Sequence, residues 1–175
     1  MWAVGNVTVN PGNNSAHKND WKVVDAQTNW IESQAAHQQP FFAYGGFVIV
    51  HPPYRTDEEH WNRIPANLVK APHWPALDDA SLIHPCDLQV TMKKGCARTS
   101  DMAGLGYLNT TAHKLGIRRA YYAMISEFDD MVGEYMNAVE RAGLTDSTVF
   151  IVSSDHGDMQ MEHVQVKRSE FVCGE

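Results

Sequence analysis

Thr148-Val-Phe-Ile-Val-Ser-Ser-Asp155-His156-Gly157 is an apolar run that ends in an acid, an imidazole and a glycine, and its reading decides the fold. Val149, Phe150, Ile151 and Val152 are β-branched or aromatic and show no polar alternation, which is the pattern of a strand covered on both faces. Such strands belong to parallel sheets, and in those sheets ligands sit beyond the carboxyl ends of the strands. Asp155 and His156 fall at that end, as two candidate metal ligands. Gly157 is expected to allow a turn there that a side chain would hinder. For the tripeptide alone, a turn cap and a surface imidazole are the alternative.

A second run has the same character. Phe41-Phe-Ala-Tyr-Gly-Gly-Phe-Val-Ile-Val50 is apolar throughout and ends in His51-Pro52-Pro53. It too reads as a buried strand, weakened at Gly45 and Gly46 or opened there to a close neighbour. Two strands would then each deliver a histidine to one sheet edge, His51 from the first and His156 from the second.

Helices separate these runs. Asn19 or Asp20 caps a helix whose apolar positions are Val23, Val24, Trp30 and Ile31, ending near His37 ahead of Pro40. Residues 117–142 form the clearest helix, with Ile117, Ala120, Tyr121, Met124, Ile125, Phe128, Met131, Val132, Tyr135, Met136 and Val139 in steps of three and four. Glu127, Asp130, Glu134 and Arg141 are expected largely outside that stripe. Gly143 is the C′ glycine and Leu144 the apolar residue that follows it. The Met and Tyr stripe reads as core.

Residues 1–18 read as a loop from Asn10-Pro11-Gly12-Asn13-Asn14. Residues 52–116 hold most of the prolines, with a short helix near Asp57-Glu58-Glu59-His60-Trp61. Trp61, Trp74, His60, His73 and His84 are candidates for lining a cleft, with packing or surface roles as the alternative for each. The order helix, strand, excursion, helix, strand gives an α/β fold with parallel strands.

Composition sets limits. The chain has 175 residues, 43% hydrophobic and 20% charged, enough for one core and typical of globular proteins. A net charge of −7 disfavours nucleic acid as a partner, which calls for a basic face. No apolar run approaches the ~20 residues of a membrane span, and the first residues do not form a signal peptide. Asn6, Asn13 and Asn109 stand in glycosylation sequons. Cys86, Cys96 and Cys173 form no Cys-x-x-Cys pair. A Cys86–Cys96 disulfide and three unpaired thiols both remain open.

With both strand ends in view, the chain resembles the sulfatases of the alkaline-phosphatase-like superfamily. The resemblance is carried by Pro40-Phe-Phe and the His51-Pro52 strand end, by Arg118-Arg119-Ala-Tyr121-Tyr122-Ala-Met with Asp129-Asp130-Met-Val-Gly133, and by Thr148 to His163. It implies a partial αβα sandwich with a mostly parallel central sheet. Its implied boundaries are family-like sequence over 19–163 and a divergent tail over 164–175. A truncated or mis-spliced product would explain that tail.

The resemblance also implies roles. Asp155 and His156 would be two ligands of a divalent metal, Ca²⁺ in this family. His51 would hydrogen-bond the sulfate or the leaving oxygen and serve as a general acid. Glu162 and His163 would stand behind the site or in the cleft. Lys167 lies near, but not at, the place of a sulfate-contacting lysine. The family nucleophile is a formylglycine made from Cys-x-Pro-x-Arg, and none of the three cysteines has that setting. Neither it nor the early Asp-Asp metal pair has a counterpart here, so the isolated chain is expected to be inactive. The implied substrate is a sulfated sugar, a glycosaminoglycan or an aryl sulfate, and the implied location is lysosomal or secreted. A phosphate or phosphonate hydrolase of the same superfamily, or a non-catalytic binding protein on this scaffold, are the competing readings.

Overall fold

A computed structural model describes residues 2–4, 7–37, 39–72, 110–158 and 160. Within them the chain is α/β. Its sheet has three strands: β1 (Trp2–Val4), β2 (Val7–Asn10) and β3 (Arg55–Asp57). β1 pairs antiparallel with β2, and β2 pairs parallel with β3 in the register Thr8↔Arg55, Val9↔Thr56, Asn10↔Asp57. Three helices complete it: α1 (Lys18–Ser33), α2 (Glu58–Arg63) and α3 (Thr111–Arg141). Two parallel strands, β2 and β3, are therefore joined through α1.

The start of the chain corrects the sequence reading. Residues expected to form a loop carry β1 and β2. Val7 and Val9 are fully buried while Thr8 and Asn10 are half-buried, the period of two that a strand imposes. Gly5-Asn6 between two short apolar runs is a hairpin signal that the turn residues further on outweighed.

The two long apolar runs also differ from expectation. Among the described residues neither 41–50 nor 148–153 enters the sheet. Residues 41–50 nevertheless keep a strand's alternation over most of their length: Phe41, Gly45, Phe47 and Ile49 face inward, and Phe42, Tyr44, Gly46 and Val48 outward. Helices hold the inner face. Phe47 packs edge-on against Phe128 and Tyr135 of α3, and Phe41 against Trp30 of α1. At Gly45 a Cβ would stand 2.8 Å from the Tyr135 hydroxyl, so the close approach expected there is real. The Asp20 carboxylate accepts the amides of Val48 and Ile49 at 2.9 and 3.1 Å. The outer face has no such cover, with Phe42 86% and Val48 70% exposed. Val149 and Ile151 are each 85% exposed. A backbone becomes a strand only when a neighbour supplies its ladder, and apolar content alone does not do that.

The helices follow the sequence closely. α1 ends at Ser33, and a 3₁₀ turn carries the chain through Ala36 ahead of Pro40. Its N-cap is His17, and Asp20 lies in the first turn with its carboxylate committed to the 48–49 amides. α3 begins earlier than expected, where the Thr110 hydroxyl accepts the His113 amide. Its 31 residues extend roughly 46 Å. Ile117, Ala120, Tyr121, Met124 and Met131 join Val7, Val9, Val24, Ile49, Tyr54 and Trp61 in the main core. Ile125 and Met136, assigned to the same stripe by sequence, are largely exposed. Glu127 reverses the expectation in the other direction: it is completely buried, three residues after Met124 and four before Met131.

α3 stops in the predicted way. The Leu144 amide donates to the Val139 carbonyl at 3.0 Å and the Gly143 amide to Glu140 at 2.9 Å, with Gly143 at φ +69°. Leu144 then packs with Ile31, Ala138 and Val139 in a second small cluster. This is a Schellman stop, and its left-handed residue suits only glycine without strain. Gly143→Ala is expected to lower stability by about 1–2 kcal/mol, read as a shift of the urea midpoint at unchanged slope.

Candidate functional site

Two groups of side chains carry chemistry. The first lies where the two apolar runs end. His51 is exposed, with its amide donating to the Val48 carbonyl at 2.8 Å. Asp155 and His156 are adjacent and solvent-accessible. The Asp155 Oδ1 accepts the His156 amide at 2.9 Å, and His156 Nε2 lies 3.4 Å from Asp155 Oδ2. Gly157 has open space around an added Cβ and no positive φ, so the expected need for glycine is not met there.

The residue that relates these groups is Asp158, which sequence reasoning passed over. It is half-buried, accepts the Gln160 amide at 2.7 Å, and faces the Tyr54 hydroxyl at 3.4 and 3.5 Å. Burial pushes its carboxyl above the ordinary range. The Gln160 amide, the Tyr54 hydroxyl and the His156 and His51 imidazoles pull it back part-way. The Tyr54–Asp158 contact brings the ends of the two runs together in space. An aspartate three residues past Asp155 was the available sequence signal. Lys167, Glu162, His163, Trp74, His73, His84, the three cysteines, Asn6 and Asn109 lie outside the described residues. Asn13 is exposed.

The second group is internal. Asp57 ends β3 and caps α2 by accepting the His60 amide at 2.9 Å. His60 Nδ1 is 2.7 Å from Asp57 Oδ1, and its Nε2 is 3.1 Å from Asp130 Oδ2 on α3. Arg63 closes the outer side, donating to both oxygens of Asp130 and to Glu59. Glu127 faces inward from α3. Its Oε1 accepts from the Ser15 hydroxyl and from Trp21 Nε1 at 2.9 Å. Asp57, His60 and Glu127 each present one donor atom within 4.8 Å of the others. Among the described residues His60 and Trp61 are buried in packing and do not line a cleft. Trp61 belongs to the core, with the Arg119 guanidinium 4.4 Å from its ring centroid.

With this geometry in place, comparison with known proteins decides the family. A sulfatase family profile matches residues 2–172. The chain belongs to the sulfatase family. Similar curated proteins are the arylsulfatase K of Danio rerio, 36% identical over 170 residues, and that of Xenopus laevis, 33% over 169; each alignment covers 89% of this chain. The arylsulfatase K of Homo sapiens is 30% identical over 160 residues, or 83% of this chain. The chain spans 30%, 29% and 28% of the length of these three relatives. A partial α/β arrangement with a small parallel pairing agrees with the alkaline-phosphatase-like fold of the family. Sulfatases generally bind a divalent metal, and donors suited to one occur in this chain. No helix among the described residues is long and apolar enough to cross a membrane.

The surroundings of Tyr54 give a pH prediction. Burial first, then the negative charge of Asp158, raises its phenol well above the ordinary range; Tyr121 and Tyr135 are also raised by burial. A phenol whose folded pKa is raised contributes stability below the unfolded value near 10, and that contribution is lost as pH rises towards the folded value. In an alkaline absorbance titration of the native chain, Tyr54→Phe should leave the number of tyrosines ionising below pH ~11 unchanged, and reduce it by one after denaturation. A native count that falls by one would show Tyr54 to be ordinary.

Proposed function

We propose that the protein carrying this chain hydrolyses sulfate esters, with Asp155, His156 and His51 forming part of its active site. The observation that carries the reading is the Tyr54–Asp158 contact, which brings the chain just past His51 to the chain just past His156, within a chain of the sulfatase family.

The donor set suits a divalent ion in part. Asp155 and His156 are adjacent and accessible, with His156 Nε2 3.4 Å from Asp155 Oδ2, so both side chains can face one cation. A carboxylate suits a hard ion such as Ca²⁺; an imidazole suits zinc better. The family resemblance favours Ca²⁺. When bound, the ion supplies Lewis-acid polarisation of the sulfate oxygens. His51 would orient the sulfate through its ring N–H or give a proton to the departing oxygen, and its exposure leaves the ring accessible to substrate. Lys167 is a weaker candidate for a second sulfate contact. The nucleophile is a formylglycine supplied by sequence outside these 175 residues, since no cysteine here has the Cys-x-Pro-x-Arg setting. The substrate class is a sulfated carbohydrate or small aryl sulfate, and the compartment lysosomal or secreted.

In a longer protein that contains this segment and turns over an aryl sulfate, Asp155→Ala is expected to lower kcat/KM by about 100-fold or more through loss of a metal ligand. His51→Ala is expected to lower kcat by about 10²–10⁴-fold with metal content intact. Near-normal turnover in the Asp155 variant would remove that residue from the site. Turnover of aryl phosphate far above aryl sulfate would assign the protein to the other branch of the superfamily.

A further inference from the structure

The internal cluster at the junction of β3, α2 and α3 shows an imbalance that its hydrogen bonds do not correct. Asp57 is 1% exposed and Glu127 0%, and each keeps one oxygen, Oδ2 and Oε2, without a hydrogen-bond partner. A buried carboxylate oxygen in that state is costly, and a native protein removes the cost with an ordered water or an ion. The nearby cations do not suffice. Arg63 is committed to Asp130 and Glu59 on the exposed side. His17 Nε2 comes only to 4.0 Å of Glu127 Oε2 and is already hydrogen-bonded to the Arg55 carbonyl at 2.9 Å. His17 Nδ1 faces Asp20 at 3.8 Å. Among the described residues, His60 is the side chain that lies closest between the facing carboxylates.

We propose that Asp57, His60 and Glu127 form a divalent-metal site, separate from Asp155 and His156, that takes a first-row transition ion such as zinc. The chemistry of the donors favours the ion class: one imidazole nitrogen with two carboxylate oxygens is a mixed set that suits zinc better than calcium, which prefers six or more oxygens. The outer groups are arranged as metal ligands require. His60 Nε2 is hydrogen-bonded to the Asp130 carboxylate, which fixes the ring, and Nδ1 lies inward, 2.7 Å from Asp57 Oδ1, in a contact that the ion would replace. Arg63 holds Asp130 in turn. Glu127 is fixed through Oε1 by Ser15 and Trp21, leaving Oε2 available. Donor atoms around a tetrahedral zinc ion stand about 3.4 Å apart, so binding draws in a set that now lies within 4.8 Å. Water would complete the shell. The ion would tie the middle of α3 to the corner where β3 becomes α2.

The test uses the full chain carrying Asp155→Ala and His156→Ala, so that the exposed pair contributes nothing. After chelator treatment it is titrated with Zn²⁺ by calorimetry, and metal content is measured after gel filtration. The expected result is one ion per chain, with affinity falling about tenfold or more in Glu127→Gln and again in Asp57→Asn. Far-UV circular dichroism confirms that each variant remains folded, and if Glu127→Gln does not fold, Asp57→Asn decides alone. Absence of stoichiometric zinc, or binding unchanged in a folded Asp57→Asn or Glu127→Gln variant, overturns the proposal. Because the exposed pair is already removed, either result leaves the sulfatase reading standing.

Discussion

The structure depends on burying Glu127 in the middle of α3. This carboxylate accepts from Ser15 in the loop after β2 and from Trp21 on α1, and faces Asp57 at the end of β3 and His60 on α2. Four elements of distant sequence therefore meet at one acidic group. A buried charge of this kind is costly unless every lone pair is engaged, and removing a partner costs more than adding one gains. Its environment accordingly restricts how α1, α3 and the sheet can move against one another. The apolar core around Met124 and Met131 supplies the bulk of the burial on either side.

Helices were readable because their signals are local. The α3 stripe, its Gly143-Leu144 stop and the end of α1 before Pro40 each follow from residues within a turn or two of the feature. Strands were less readable because pairing is not local. The runs at 41–50 and 148–153 have the composition of buried strands, yet no described neighbour supplies a ladder, whereas the short Val7-Thr-Val9-Asn10 stretch pairs on both sides. Glu127 shows the limit of a charge-based reading. Its spacing from Met124 and Met131 placed it on the buried face, and its charge argued for the outside. Spacing prevailed because Ser15 and Trp21 were available to solvate it.

The group at the ends of the two apolar runs was open to the sequence as residue types. Asp155, His156 and His51 could be named from the sequence because each follows an apolar run. Their meeting point could not, since Asp158 gains its role from Tyr54, more than a hundred residues earlier. The internal cluster was not legible at all. Asp57 looks like an ordinary helix cap and His60 like part of a short surface helix. Only the packing of α2 against α3 brings them to Glu127.

The hold of Asp20 on two successive amides has a consequence for assembly. In a regular strand, neighbouring amides point to opposite edges, so a ladder can use alternate ones along either side. Val48 and Ile49 instead turn both of theirs to one carboxylate. The amides of Val48 and Ile49 are therefore closed to any ladder. One helix side chain thereby acts as a punctuation mark: it occupies two successive backbone amides of this segment just before a histidine emerges.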